Sequence, residues 1–189
     1  PADSTGNTVY VGTTGGGLWK STNAAGPAVS VSFVPLTDIL TTIGNSDQSS
    51  ISIGAVTVQP GATGVVLAGT GDPNDSFDSY YGTGLLRSAD NGLTWSLISG
   101  TIHSGPAQAF SFVGEGFAGF AWSTVNSSLV VAAVSQAVEG LYVNAIEAGN
   151  SAEGLYYSSD AGTSWQLATI TDGANKLVQA TQSNFGSYD

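Results

Sequence analysis

Three stretches of the chain repeat one another. Gly17-Leu18-Trp19-Lys20-Ser21, Gly84-Leu85-Leu86-Arg87-Ser88 and Gly154-Leu155-Tyr156-Tyr157-Ser158 align without gaps, with serines at 21, 88 and 158 and therefore spacings of 67 and 70 residues. A fixed period restricts a chain to stacked architectures such as solenoids and propellers, because each unit buries its apolar face on the next. Each unit holds short β-branched or aromatic runs bounded by Gly, Pro, Asn and Asp, which is the pattern of strands. In the second unit they cover 51–58, 65–69, 85–88 and 95–98; in the third they cover 117–124, 129–134, 155–158 and 165–169. The first unit enters at Val9 and lacks its first strand. Only residues 132–148 admit a helical turn, and their glycine and β-branched residues weaken it.

Four antiparallel strands per unit, repeated, make the blades of a β-propeller. The expected fold is all-β, with about two and a half blades of an incomplete ring. Residues 1–50 form a blade without its first strand, 51–116 a second, 117–172 a third, and 173–189 a linker. Seven blades at this period need roughly 480 residues, so the 189 residues read as a piece of a longer protein. Otherwise open strand edges must be covered by a neighbouring chain in a homo-oligomer.

Two hairpins share S-x-D-x-G-x-[TS]-W. One runs Ser88-Ala89-Asp90-Asn91-Gly92-Leu93-Thr94-Trp95, the other Ser158-Ser159-Asp160-Ala161-Gly162-Thr163-Ser164-Trp165. Asp accepts backbone N–H groups across the turn, Gly takes a positive φ, and Trp buries a large apolar surface over the hairpin. These hairpins resemble the Asp-box (BNR) repeat of sialidases, xyloglucanase-type glycoside hydrolases and sortilin-like receptors, across about residues 9–171. The resemblance implies a structural role for both boxes, away from the active centre. The first unit departs from the motif, with Asn23 for Asp and Ala25 for Gly. Sialidases bind their substrate with three arginines, and Arg87 is the single arginine here. Xyloglucanase-type enzymes carry an aspartate after the first repeat strand, a position that falls near Thr13-Thr14-Gly15.

Charge narrows the partners. With three Lys plus Arg and a net charge of −11, the chain lacks the cations that binding to a nucleic-acid backbone or an anionic membrane requires. Cysteine is absent, which removes disulfides, thiolate metal sites and a cysteine nucleophile. No apolar run approaches the ~18 residues of a membrane span. A Ser/Thr/Gly/Asn-rich, Lys-poor surface suggests a secreted or periplasmic protein.

The strand order places three long inserts, 72–82, 101–116 and 136–152, on one face, opposite the box turns. Long loops on a rigid scaffold are where function concentrates. Oxygen side chains fall at alternate positions from Asp72 through Asn74 and Ser76 to Asp78, as in a calcium loop, which makes Asp72, Asn74, Asp75 and Asp78 candidate ligands, although Phe77 and Thr83 exclude an EF-hand; a solvated acidic turn is the alternative. Asp72, Glu115, Glu139 and Glu147 are the candidate carboxylates for the acid–base pair of a glycosidase, or else polar loop residues in solvent. His103 is the sole histidine, which excludes a three-histidine zinc site and leaves any Ser-His-Asp triad to it. Tyr80 and Tyr81 are the best candidates to stack on sugar rings. The expected function is glycan or protein binding through the loop-rich face. The alternatives are a hydrolase, either glycosidase-like or a calcium-dependent lactonase or esterase, and a scaffold domain.

Overall fold

The computed structural model describes residues 3–37, 52–61, 63–74, 79–101, 110–137 and 153–177. Among them lie thirteen strands and one short 3-10 turn, Ala28–Ser30. The first sheet holds β1 (Val9–Thr13), β2 (Gly17–Ser21) and β3 (Val34–Pro35) in that order. The second holds β4 (Ile53–Val58), β5 (Val66–Thr70), β6 (Leu85–Ser88) and β7 (Ser96–Ile98). The third is β8 (Glu115–Trp122), β9 (Val130–Gln136), β10 (Gly154–Ser158) and β11 (Gln166–Leu167), again in sequence order. All pairs are antiparallel. These are the four-stranded meanders of a β-propeller, and among the described residues the first sheet has three strands. A hairpin of β12 (Ile170–Asp172) and β13 (Asn175–Leu177) follows and straddles the boundary drawn at 172.

Register fixes the repeat residue by residue. Trp19, Leu86 and Tyr156 pair forward with Pro35, Leu97 and Leu167, so Phe33 stands where the other units have Trp95 and Trp165. The same three pair backward with Val11, Ala68 and Ala132. Neighbouring sheets meet through their early strands, β1 against β4 and β4 against β8. Between the first two sheets lies a core of Leu18, Ile53, Val66, Ala68, Leu86 and Trp95. Between the second and third lies a larger one, including Leu67, Leu85, Phe112, Phe117, Tyr156 and Trp165.

The two motif hairpins have the same internal wiring. Ser88 donates to Asp90 at 2.7 Å and accepts the Gly92 N–H at 2.8 Å; Ser158 does the same with Asp160 and Gly162 at 2.7 and 2.8 Å. Each aspartate then receives the N–H and hydroxyl of the residue before the tryptophan, Thr94 at 2.9 and 2.6 Å and Ser164 at 2.9 and 2.6 Å. Each indole N–H donates to the motif glycine carbonyl, at 3.1 Å in both. The first unit keeps part of this despite its departure from the motif. Asn23 Oδ1 accepts the Ser21 hydroxyl and the Ser32 N–H, both at 3.0 Å, so an amide oxygen substitutes for the carboxylate.

The turns also tie one sheet to the next. Lys20 Nζ and the Tyr10 hydroxyl both donate to the Asn91 carbonyl at 2.8 Å. One repeat later, Arg87 Nε donates to the Ala161 carbonyl at 2.9 Å. Asn91 and Ala161 are the described non-glycine residues with positive φ, 60° and 57°. That conformation points the carbonyl outward, within reach of the preceding sheet's cation.

The Thr94 hydroxyl, then the Thr94 N–H and the Ser88 hydroxyl, hold the Asp90 carboxyl at about 2, below its ordinary 3.8. A depressed folded-state pKa contributes stability that is complete above the unfolded value and is lost as pH falls through the folded one. Stability is therefore expected to be flat down to about pH 4 and to fall between about 4 and 2. Thermal melts across that window, on the wild type and Asp90→Asn, test it; a variant whose pH slope is unchanged rules Asp90 out as its source.

Candidate functional site

The inserts leave from one rim. They emerge beyond Thr70, Ile98 and Gln136 and return at Leu85, Glu115 and Gly154, whereas the motif turns follow Ser88 and Ser158 at the other ends of the same sheets. The tight link of the first unit, residues 14–16, lies on the insert rim as well.

Asp72 is the best-defined group there. It is not a solvated acidic turn, because it is buried. Its Oδ2 accepts the Thr14 hydroxyl at 2.5 Å, and its Oδ1 accepts the backbone N–H and side-chain amide of Asn74, each at 3.0 Å. Burial alone would push its pKa up. The hydrogen bonds from Thr14 and Asn74 outweigh that and hold it below the ordinary carboxylate value. Asp72 is thus an anion at neutral pH, fixed by three donors from two repeat units. Its backbone pairs with Tyr80 through Asp72 N–H to Tyr80 O at 2.8 Å and the reverse bond at 3.0 Å. That leaves Tyr80 exposed directly beside it.

Glu115 is also not a loop residue in solvent. It opens β8, opposite Gln136, and is buried. The insert before it therefore ends at Gly114, whose N–H donates to the Gly82 carbonyl at 2.8 Å. Gly82 in turn donates to the Glu115 carbonyl at 2.8 Å. A Cβ on Gly71 would lie 2.6 Å from that same carbonyl and 2.9 Å from Gly116 Cα. Glycines at 71, 82 and 116 therefore let the backbone beside Asp72 lie directly on the start of β8. Close by, Tyr156 is fully buried, and burial first, then the Glu115 charge, pushes its phenol well above the ordinary value.

Two of the carboxylates named from sequence, Asp72 and Glu115, thus lie on adjoining backbone at one rim. Asp75, Asp78, His103, Glu139 and Glu147 lie outside the described residues. Asn74 is exposed and bonded to Asp72, and Tyr81 is half-buried. No group of three or more metal-ligating His, Cys, Asp or Glu side chains occurs among the described residues. Sequence reasoning missed Thr14 as a partner of Asp72. The repeat carries that signal: Thr13 Oγ1 donates to the Gly17 carbonyl at 2.9 Å as Thr70 Oγ1 does to Gly84 at 2.6 Å, so the residues just beyond the two threonines emerge on the same rim.

An ancestral GH74 enzyme has a similar fold, with a TM-score of 0.52 and 21% identity over 85% of this chain. The chain spans 16% of that enzyme's length. A GH74 enzyme from Niastella koreensis (TM-score 0.43, 16% identity, 85% of this chain and 20% of that one) and the GH74 xyloglucanase from Xanthomonas campestris (0.35, 14%, 86% and 28%) are also similar. GH74 enzymes are β-propeller glycoside hydrolases. No family model matches the chain, and neither does any curated protein. Among the described residues no helix is long and apolar enough to cross a membrane.

Proposed function

We propose that this chain belongs to a secreted β-propeller that binds polysaccharide at its insert rim. The observation that carries the reading is the placement of Asp72: a buried, ionised carboxylate on the rim from which all three inserts leave, with exposed Tyr80 beside it. A sugar suits this arrangement: a hydroxyl can donate to the acceptor site that the three donors leave on the Asp72 carboxylate, which has about four, and an apolar ring face can stack on Tyr80. The composition of Ser, Thr, Gly and Asn supports secretion, and the propeller fold shared with GH74 enzymes supports a glycan ligand.

A soluble polysaccharide panel that includes xyloglucan, read by affinity electrophoresis and calorimetry, tests the proposal. Asp72→Ala is expected to weaken binding about 10- to 100-fold, the worth of a hydrogen bond to a charged group. Binding by no member of the panel, or equal binding by the variant, would sink it. Hydrolysis is the second reading, favoured by Glu115 lying on the backbone next to Asp72. In that reading Asp72, already ionised, acts as base or nucleophile with Glu115 as the second carboxyl group of the pair, and release of reducing ends distinguishes it from binding alone.

Calcium at Asp72, Asn74, Asp75 and Asp78 would compete with bonds that Asp72 already makes to Thr14 and Asn74. Chelation is accordingly expected to leave the melting temperature unchanged; a drop restored by calcium alone would instead assign the loop to the metal.

A further inference from the structure

The turn between β8 and β9 carries Asn126-Ser127-Ser128, which fits N-x-[ST], the acceptor sequence for an N-linked glycan. Such a sequence is usable only where its asparagine reaches an enzyme in solvent, so its place in the fold decides. Asn126 and Ser127 are exposed, and Val125 before them is 94% exposed. The backbone behind the asparagine is held in place. Ser123 Oγ accepts the Asn126 N–H at 3.1 Å, and the Asn126 carbonyl accepts the Leu129 N–H at 3.0 Å. The Ser127 carbonyl accepts Gln59 Nε2 at 2.6 Å, and the Ser128 carbonyl accepts the Ala161 N–H at 2.9 Å. The side chain itself bonds through its oxygen: Asn126 Oδ1 accepts the Ser128 N–H at 3.0 Å, an Asx turn. That bond holds the asparagine against the residue two positions on, the pair the acceptor sequence requires, and it commits the oxygen rather than the nitrogen.

A second tripeptide of the same form starts at Asn74, in Asn74-Asp75-Ser76. There the nitrogen is already committed, because Asn74 Nδ2 donates to Asp72 Oδ1 at 3.0 Å. Asn74 also stands on the insert rim. The 123–129 turn lies at the opposite end of its sheet, with the motif turn that follows Ser158. The seven residues of β9 put about 20 Å between the two ends, so a glycan on Asn126 leaves the rim open.

We infer that Asn126 is an acceptor for an N-linked glycan and that Asn74, despite its matching sequence, is not. The donor is an oligosaccharide carried on a polyprenyl diphosphate, and the enzyme is an oligosaccharyltransferase of the secretory route. The inference rests on the secretion in the proposed function and not on polysaccharide binding. In the transfer, Asn126 Nδ2 attacks the anomeric carbon of the oligosaccharide. The N–C bond forms, the bond from that carbon to the diphosphate oxygen breaks, and its electron pair leaves with the polyprenyl diphosphate. One Nδ2 proton passes to a base of the transferase. The product carries a bulky, solubilising group beside the exposed Val125.

A purified oligosaccharyltransferase and a lipid-linked oligosaccharide, acting on the folded whole chain, test the inference. Intact mass and glycopeptide mapping read which asparagine is occupied. The wild type is expected to gain a single glycan, on Asn126. Asn126→Gln and Ser128→Ala, each checked for native circular dichroism, are each expected to lose it. Ser128→Thr, which keeps the hydroxyl, is expected to retain it. A folded chain that stays unmodified overturns the inference, and so does one modified at Asn74 as fully as at Asn126. A glycan that persists on Asn126 in Ser128→Ala overturns it too, because the transfer would then not use the acceptor sequence. The transferase is supplied and no polysaccharide is read, so this inference and the proposed function can each fail without the other.

Discussion

Trp165→Ala is expected to cost about 3–5 kcal/mol of folding free energy, the range for deleting a fully buried large aromatic side chain. The indole is completely buried and belongs to the core between the second and third sheets. It lies 6.3 Å, centroid to centroid, from Phe120, and its N–H caps the Gly162 carbonyl at 3.1 Å. Alanine would leave a cavity bounded by two rigid sheets, which have little freedom to collapse into it, and would strand the Gly162 carbonyl. Urea unfolding measures the effect as a lower midpoint at unchanged slope. A loss below about 1 kcal/mol, the scale of an ordinary surface-to-moderate substitution, would mean that the indole does not lock the sheets together.

Gly71→Ala is the second large effect, and it connects stability to the site. Gly71 has φ +80°, and an added Cβ would lie 2.6 Å from the Glu115 carbonyl, 2.7 Å from Gly82 N and 2.9 Å from Gly116 Cα. All three neighbours are backbone, so no side-chain rotation relieves the contact. The left-handed conformation costs an L-residue roughly 1–2 kcal/mol, and overpacking adds about 1–3 kcal/mol. The expected loss is therefore about 2–5 kcal/mol, with Asp72, the next residue, displaced from Thr14. Chemical denaturation gives the first part. The second is read as a fall in polysaccharide affinity that persists at low temperature, where the variant is fully folded. A variant as stable as wild type would contradict the close approach of the two chain segments.

Much of the fold was legible because its signals are local. Gly, Asn and Asp mark the tight turns, and S-x-D-x-G-x-[TS]-W fixes a hairpin without help from distant residues. Strand ends were less legible where tertiary contacts decide them. Residues 115 and 116 join β8 because Gly116 lets Pro73 approach and because Gln136 continues β9 to meet Glu115. No local propensity in Gly114-Glu115-Gly116 shows this. For the same reason Glu115 read as a solvated loop carboxylate and proved buried. The site was half legible. The topology places the inserts on one rim, and Asp72 stands out as a carboxylate at the start of one. Its state depends on Thr14, a contact that spans 58 residues of sequence and crosses from one repeat to another.

The wiring of Lys20 and Arg87 sorts charge by pole. Both cations are committed to carbonyls on the motif side, while the inserts 72–82, 101–116 and 136–152 contain carboxylates and no lysine or arginine. A visitor to the insert rim meets the ionised Asp72, with both Lys20 and Arg87 committed at the opposite ends of their sheets. Uronate or sulfate groups would approach it against repulsion, whereas uncharged sugars would approach without penalty, and added salt would narrow that difference.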